Sequence, residues 1–432
     1  MEMNVTRLKM RYDLDERPPL GEGVLLSVQH VFAMFGATIL VPLILGMPVS
    51  VALFCSGIGT LIYHTFTQGK SPVYLGSSFA FVGAMQIAIQ QMKGDFSAAL
   101  TGVMICGLVY AIVAVLVGQI GNAWVDRLLP PVVIGPLIIV IGLSLASSAV
   151  TNAGFVEGAS WKEMVTAIFT FLVCAFINTR AKGFFRIVPF LISIVAGYIL
   201  AAILGIVDFT PVAKASWIQL PQFYLPFNTP WFDQYHFYFG PETWAVVPVV
   251  LVTIAEHIGD HTVLSEITGK NLLKDPGLGR TLMGDGIATF VSAFLGGPAN
   301  TTYGENTGVI GLTKVSSTFV LRQAAVIAIL VSFLGKLTAM ISTIPHPVLG
   351  GMSILLYGTI ASNGLKLLIE KHVNFQNVRN LIIASAILVL GLGGAEMHIS
   401  SVLTLSGTAL SALTGIFLNL ILPQDAMADE TK

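Results

Sequence analysis

The chain has 432 residues, of which 54% are hydrophobic and only 10% charged, with a formal net charge of −1. A soluble domain carries roughly 25% charged residues and needs them to cover its surface, so this composition excludes a water-soluble globular protein. With neither a basic excess nor a basic stripe, nothing points to nucleic acid as a partner.

The first residues are polar and charged through Arg17, and an apolar run follows directly, so a polytopic membrane protein without a cleavable leader is expected. Leu/Ile/Val/Ala-rich runs recur to the C-terminal end, each approaching with its flanks the roughly 20 residues that span a bilayer. They lie near 24–45, 50–67, 73–92, 97–118, 124–149, 163–180, 187–206, 243–266, 280–297, 303–314, 321–342, 346–369, 379–395 and 402–422. The pattern predicts an all-α fold of 14 transmembrane segments. Cys55, Cys106 and Cys174 all fall within apolar runs and read as small core residues, with no disulfide or metal pattern.

The basic residues test the count. With the N-terminus inside, only Lys93, Lys162 and Lys214 fall outside and Lys336 within a span; the rest of the 22 Lys and Arg fall inside. That bias predicts an even number of spans with both termini cytoplasmic. The long segment Asp208–Glu242, rich in Pro and aromatic residues, divides the spans into seven and seven. An odd number per half gives the halves opposite orientation, the pattern of an inverted repeat.

Segments 3 and 10 are the least helix-like, and each is third in its half. One contains "YLGSSFAF" (74–81), the other "TTYGEN" (301–306). Each reads as a short extended piece followed by a half-helix. An extended piece in a membrane leaves N–H and C=O groups unpaired at several kcal/mol each, unless it pairs with another or faces a polar cavity. Two such pieces can pair as short antiparallel strands. The half-helices then aim free N–H donors and positive dipole ends at the centre. Close packing by Gly76, Ser77 and Ser78 is the blander reading, and it leaves Glu305 unexplained.

Segment 8 reads "IAEHIGDHTVLSE": Glu256 and Asp260 share one helix face, and His257 and His261 form a second i, i+4 pair. Segment 9 adds Asp285. Ionisable residues inside a membrane are costly and mark substrate sites or proton paths. Two acids in one cavity titrate as a coupled pair, a route to proton coupling without a cofactor. The same residue types bind divalent ions, but no complete local ligand set is present, and no enzyme motif appears.

At these residues the chain resembles the nucleobase–ascorbate transporter family (nucleobase:cation symporter-2), and within it the bacterial uracil permeases. Glu305-Asn306-Thr307-Gly308-Val309-Ile310-Gly311-Leu312-Thr313-Lys314 fits the family signature Gln/Glu/Pro-Asn-x-Gly-x-x-x-x-Thr-Arg/Lys/Gly at every defined position. "RPPL" at 17–20, "QHVFAMFGATILVP" at 29–42, "YLGSSFAF" and "AEHIG" at 255–259 carry the likeness through nearly the whole chain. The resemblance implies two inverted seven-segment repeats, a core domain (24–122 and 241–343) and a gate domain (123–240 and 344–423), homodimers in the cytoplasmic membrane, and uracil/proton symport. By matching position, Glu256 and Glu305 would accept hydrogen bonds from uracil, and the backbone N–H groups of Phe79 and of Gly304 or Glu305 would donate to it. Ser78 is a further candidate contact, and Phe79, Tyr303 and Tyr357 are candidates for stacking surfaces. Purine-transporting relatives often carry Gln where this chain has Glu305. An ionised Glu only accepts, which suits the N–H groups of uracil. Enterobacterial uracil permeases have His where this chain has Asp260, and that His is implicated in proton coupling. Here Glu256, Asp260 and His257 are the candidate proton carriers, sodium is an alternative coupling ion, and no other cofactor is expected. The rival readings are a permease for another nucleobase, a channel or receptor on the same scaffold and, last, an enzyme.

Overall fold

The computed structural model describes residues 10–186, 188–398, 404–405 and 407–423. The long helices α1 (Leu20–Leu45) and α2 (Val49–Phe66) come first. The chain then extends as β1 (Leu75–Ser77), turns, and enters the short helix α3 (Val82–Gln91), followed by α4 (Ser97–Ile120). Next come α5 (Ala123–Leu128), α6 (Pro131–Ser144), α7 (Ala146–Asn152), α8 (Trp161–Arg180) and α9 (Pro189–Ile203). The long middle segment holds α10 (Thr210–Lys214) and two-residue strands β2 (Tyr224–Leu225) and β3 (Asp233–Gln234), which pair in parallel. The second part runs α11 (Pro241–Val246), α12 (Val250–Thr268), α13 (Leu278–Phe294), β4 (Asn300–Thr302), α14 (Gly304–Thr313), α15 (Thr318–Ser332), α16 (Gly335–Ser342), α17 (His346–Glu370) and α18 (Val378–Leu392). A small antiparallel pair, β5 (Met397–His398) and β6 (Thr404–Leu405), precedes α19 (Gly407–Ile421).

Every apolar run of the sequence has helical structure within a few residues. Among the described residues, seven helices are long and apolar enough to cross a membrane: 20–45, 49–66, 97–120, 131–152, 161–180, 241–268 and 346–370. Four shorter apolar helices, α9, α15, α18 and α19, accompany them. Ile112, Leu116, Phe176, Ile199, Val389 and Phe417 turn outward into the surface a bilayer would cover.

Several runs that read as single segments are interrupted. The run near 124–149 divides into α5, α6 and α7; at the last break the Ser144 hydroxyl donates back to the Ile141 carbonyl at 3.2 Å, a bond that bends helices. Pro248 lies in the tight turn between α11 and α12, where it removes a helical N–H. Between α15 and α16 the Gln219 N–H donates to Phe333 O at 2.9 Å and the Gly335 N–H to Trp217 O at 3.0 Å, so the middle segment satisfies the broken helix.

The two extended pieces do pair. β1 and β4 run antiparallel with Leu75 opposite Thr302, Gly76 opposite Thr301 and Ser77 opposite Asn300. The ladder continues through Ser78 N–H to Ala299 O (2.8 Å) and Tyr303 N–H to Tyr74 O (3.0 Å). Side chains satisfy the outer edges. The Ser56 hydroxyl donates to Leu75 O (2.7 Å), Leu75 N–H donates to the Thr60 hydroxyl (2.9 Å), and the Thr289 hydroxyl donates to Asn300 O (2.9 Å). The pair is completely enclosed, and these bonds satisfy its backbone at the positions named.

α2, α4, α13 and α15 pack together, while α6, α8, α9 and α17 to α19 form a second group; α1 and α12 touch both. The α4–α13 contact rests on facing glycines: a Cβ at Gly107 would lie 2.6 Å from Gly286 O and 2.8 Å from Phe290. Replacing Gly107 by Val should separate these helices and cost about 1–3 kcal/mol, the usual effect of overpacking. The expected readout is a lower melting temperature of the detergent-solubilised protein; an unchanged melt would contradict this contact.

Candidate functional site

The β1–β4 crossing ends at one cavity of about 360 Å³. The turn after β1 contributes Phe79, α12 contributes Glu256, Gly259 and Asp260, and the start of α14 contributes Tyr303, Gly304 and Glu305. The opposite wall is built by Ile138 of α6, Asn178 of α8, Phe190 of α9, and Thr359, Asn363 and Lys366 of α17. The cavity therefore lies between α12, α14 and the paired strands on one side and α6, α8, α9 and α17 on the other.

The four-residue spacing of Glu256 and Asp260 puts both on the cavity face of α12. The Asp260 carboxylate accepts the Thr302 hydroxyl at 2.5 Å, which ties α12 to β4. Glu256 Oε2 is enclosed without a hydrogen-bond partner among the described residues. No side chain caps α14 or α3. The first-turn N–H groups of α14, on Gly304 and Glu305, thus have no intrahelical acceptor and sit at a positive dipole end. The arrangement combines two carboxylate acceptors, free backbone donors and the apolar face of Phe79.

Tyr303 acts on the strands themselves. Its hydroxyl donates to Ser77 O at 3.0 Å and accepts from the Thr38 hydroxyl at 3.2 Å. Its ring occupies the space that a Cβ at Gly76 would need, so Gly76 is the residue that lets the ring cross β1. Asn306 donates to His30 O at 3.1 Å and fastens α14 to α1.

The structure thus gathers Phe79, Glu256, Asp260, Tyr303, Gly304 and Glu305 around one space. Ser78, Tyr357 and His257 do not line it. Ser78 is buried behind the turn. Tyr357 meets the Phe79 ring edge-on, with centroids 5.9 Å apart, and so backs the apolar wall. His257 points to the other face of α12, where its Nδ1 meets Asp285 Oδ2 at 2.8 Å. Sequence reasoning missed the hold of Thr302 on Asp260, although Thr302 lies in the quoted "TTYGEN". It also missed Asn178, Asn363 and Lys366, isolated polar residues whose convergence comes only from tertiary packing. Among the described residues no group of three or more His, Cys, Asp or Glu side chains could hold a metal ion.

The comparisons with known proteins agree on one family. The model of a permease family (Xan_ur_permease) matches residues 21–399. A uracil permease of Bacillus caldolyticus is 47% identical over 426 residues, covering 97% of this chain and 96% of the relative. A uracil permease of Bacillus subtilis (strain 168) is 44% identical over 432 residues, covering 97% of each. Among solved structures, the transmembrane domain of the cyanobacterial bicarbonate transporter BicA superposes with a TM-score of 0.66 at 16% identity, over 91% of this chain and 97% of that one. That likeness is one of fold.

The Thr302–Asp260 bond is testable on its own. Thr302→Val keeps the side-chain shape but leaves Asp260 without its donor, which should cost about 1–3 kcal/mol, while Thr302→Ser should retain most of the stability. Equal melting curves for the Val variant and the parent would refute the bond.

Proposed function

The chain belongs to this permease family, a family of multi-pass membrane transporters rather than enzymes, and from that premise we propose that it imports uracil across the cytoplasmic membrane together with a proton. The cavity carries this reading. Uracil is a planar ring with two N–H donors and two C=O acceptors, and the cavity offers that pattern in reverse. In the proposal, Glu256 and Glu305 accept from the ring N–H groups. The backbone N–H groups of Phe79 and of Gly304 or Glu305 donate to its carbonyls, and Phe79, backed by Tyr357, covers one face. Tyr303 and Ser78 hold the strands that position these donors.

The proton reading rests on Glu256 and Asp260, two acids on the cavity face of α12. Occupancy of this pair by a proton is felt through Thr302 by β4, and so by the helix that carries Glu305. We assign 24–122 and 241–343 to a core that carries the substrate, and 123–240 and 344–423 to a gate against which it moves. In this reading fourteen spans form two inverted sevens, both termini are cytoplasmic, and the protein is a homodimer. A cavity walled by α12 and α14 on one side and by α6, α8, α9 and α17 on the other supports alternating access, because relative motion of its walls would open it to one side or the other.

Uptake of radiolabelled uracil into proteoliposomes under separate pH and sodium gradients tests the reading. We expect accumulation with an acidic outside, none from sodium alone, and better competition by unlabelled uracil than by xanthine or hypoxanthine. Stronger competition by a purine would overturn the substrate, and accumulation driven only by sodium would overturn the coupling ion. Glu305→Gln replaces a charged acceptor; hydrogen bonds to charged groups contribute about 1.5–3 kcal/mol, so uracil binding should weaken about tenfold to a hundredfold. Unchanged binding would remove Glu305 from the site. Asp260→Asn should impair accumulation more than uracil exchange, and equal losses of both would argue against its proton role.

A further inference from the structure

Two stretches that carry the family likeness take no part in the cavity: "RPPL" at 17–20, and Thr313-Lys314 at the end of the signature. The chain ahead of α1 brings them together. Residues 11–16 form a strap along residues 314–318, the loop between α14 and α15, with a parallel bridge between Tyr12 and Val315. Lys314 closes α14 with a left-handed φ of 59°, and its carbonyl accepts the Arg11 N–H at 2.7 Å. The Ser316 N–H donates to Tyr12 O at 2.9 Å and the Thr318 N–H to Leu14 O at 3.1 Å. The hydroxyls of Ser317 and Thr318 donate to Glu16 O (2.6 Å) and Leu14 O (3.1 Å). The Leu14 side chain is buried.

The strap also reaches the other helices of the site. The Asp13 carboxylate accepts from Lys270 Nζ at 2.6 Å, just beyond the end of α12, and from the Leu14 N–H at 2.7 Å. Glu22, in the first turn of α1, accepts the Tyr12 hydroxyl at 2.9 Å and pairs with Arg11. The Arg17 guanidinium lies over the Phe319 ring of α15, 5.2 Å from its centroid. Pro18 and Pro19, with fixed φ, lead stiffly from the strap into α1. The strap thus joins the C-terminal ends of α12, which carries Glu256 and Asp260, and α14, which carries Glu305. α14 has only ten residues, and a helix that short is marginal by itself. What fixes its two ends therefore fixes its direction: β4 leads into one, and the strap holds the other.

We propose that residues 11–18 are a positioning strap: by tying the C-terminal ends of α12 and α14 they set the spacing between Glu256 and Glu305, and with it the affinity for the base. Recognition groups must be held within about 0.5 Å of the productive geometry. Two carboxylates on different helices keep such a spacing only if the helices are fastened to each other. The Thr302–Asp260 bond is one tie, at the cavity. The strap is the second, and two ties fix an angle that one leaves free. No residue of the strap lines the cavity, so its influence on the base passes through the helices it holds.

This inference rests on the reading of the cavity as a uracil site, and the test separates the two. Wild type that binds no uracil would overturn that reading, and the strap's role with it. Given binding by wild type, uracil–uracil exchange in proteoliposomes is followed across uracil concentrations, beside equilibrium binding by the solubilised protein. Ser317→Ala combined with Thr318→Val removes both hydroxyl bonds to the strap. Ser317 makes no capping bond to α15, so that helix keeps its start. Asp13→Asn keeps an acceptor for the Leu14 N–H and removes the charge that holds Lys270. Each should raise Kd and KM about threefold to tenfold, the loss of one or two hydrogen bonds, with Vmax within about twofold of wild type. Ser317→Thr with Thr318→Ser retains both hydroxyls and should bind as wild type does. Unchanged Kd and KM in either test variant would overturn the strap. So would a loss of Vmax and of folded protein at unchanged KM, the pattern of a merely structural contact, or an equal loss of affinity in the variant that retains both hydroxyls.

Discussion

Three residue pairs of antiparallel backbone between Leu75–Ser77 and Asn300–Thr302 are the constraint on which the site depends. Extended backbone at membrane depth survives only if its N–H and C=O groups are satisfied. β1 and β4 satisfy each other across more than two hundred residues of chain, and hydroxyls from α2 and α13 close the outer edges. Because the strands end at one place, the turn after β1 and the start of α14 meet at a single cavity. The uncapped N-terminus of α14 brings backbone donors there without any charged side chain having to supply them.

α12 crosses this arrangement with two polar faces of opposite kind. On one, Glu256 and Asp260 border the cavity, and Asp260 is held by Thr302 of β4. On the other, His257 and His261 join Asp285 and Tyr63 in a fully enclosed network. The helix contacts elements of both helix groups, so its position is sensitive to any movement between them. One helix thus links the acceptors that suit a nucleobase, the acids that suit a proton, and the packing that a rocking motion would disturb.

Much of this was legible in residues whose cost demands a reason. A Gly, hydroxyls and a Glu in "TTYGEN", and their counterpart in "YLGSSFAF", announced broken spans, and the pairing of the two follows from unsatisfied backbone. The i, i+4 spacing of Glu256 and Asp260 put both on one face before any coordinates. Three features were not legible. The breaks at Ser144 and between Ser332 and Gly335 depend on a back-bond and on partners from a distant segment, neither of which alters hydropathy. The turn of His257 away from the cavity depends on where Asp285 sits, a tertiary fact. The wall of Asn178, Asn363 and Lys366 consists of single polar residues on otherwise ordinary helices, which no local pattern marks. Tyr303 has a structural role that the motif did not announce: besides lining the cavity, its hydroxyl bonds Ser77 O and its ring lies against Gly76.

The central claim is that the paired breaks make the base-recognition site. The most direct measurement is an experimentally determined structure of the protein with uracil bound. The account predicts density for the ring beside Phe79, with its N–H groups on the carboxylates of Glu256 and Glu305 and a carbonyl on the free N–H groups at the start of α14. Uracil seated elsewhere, for example in the surface pocket between Arg127 and Arg379, with the cavity at the strand crossing lacking ligand density, would contradict it.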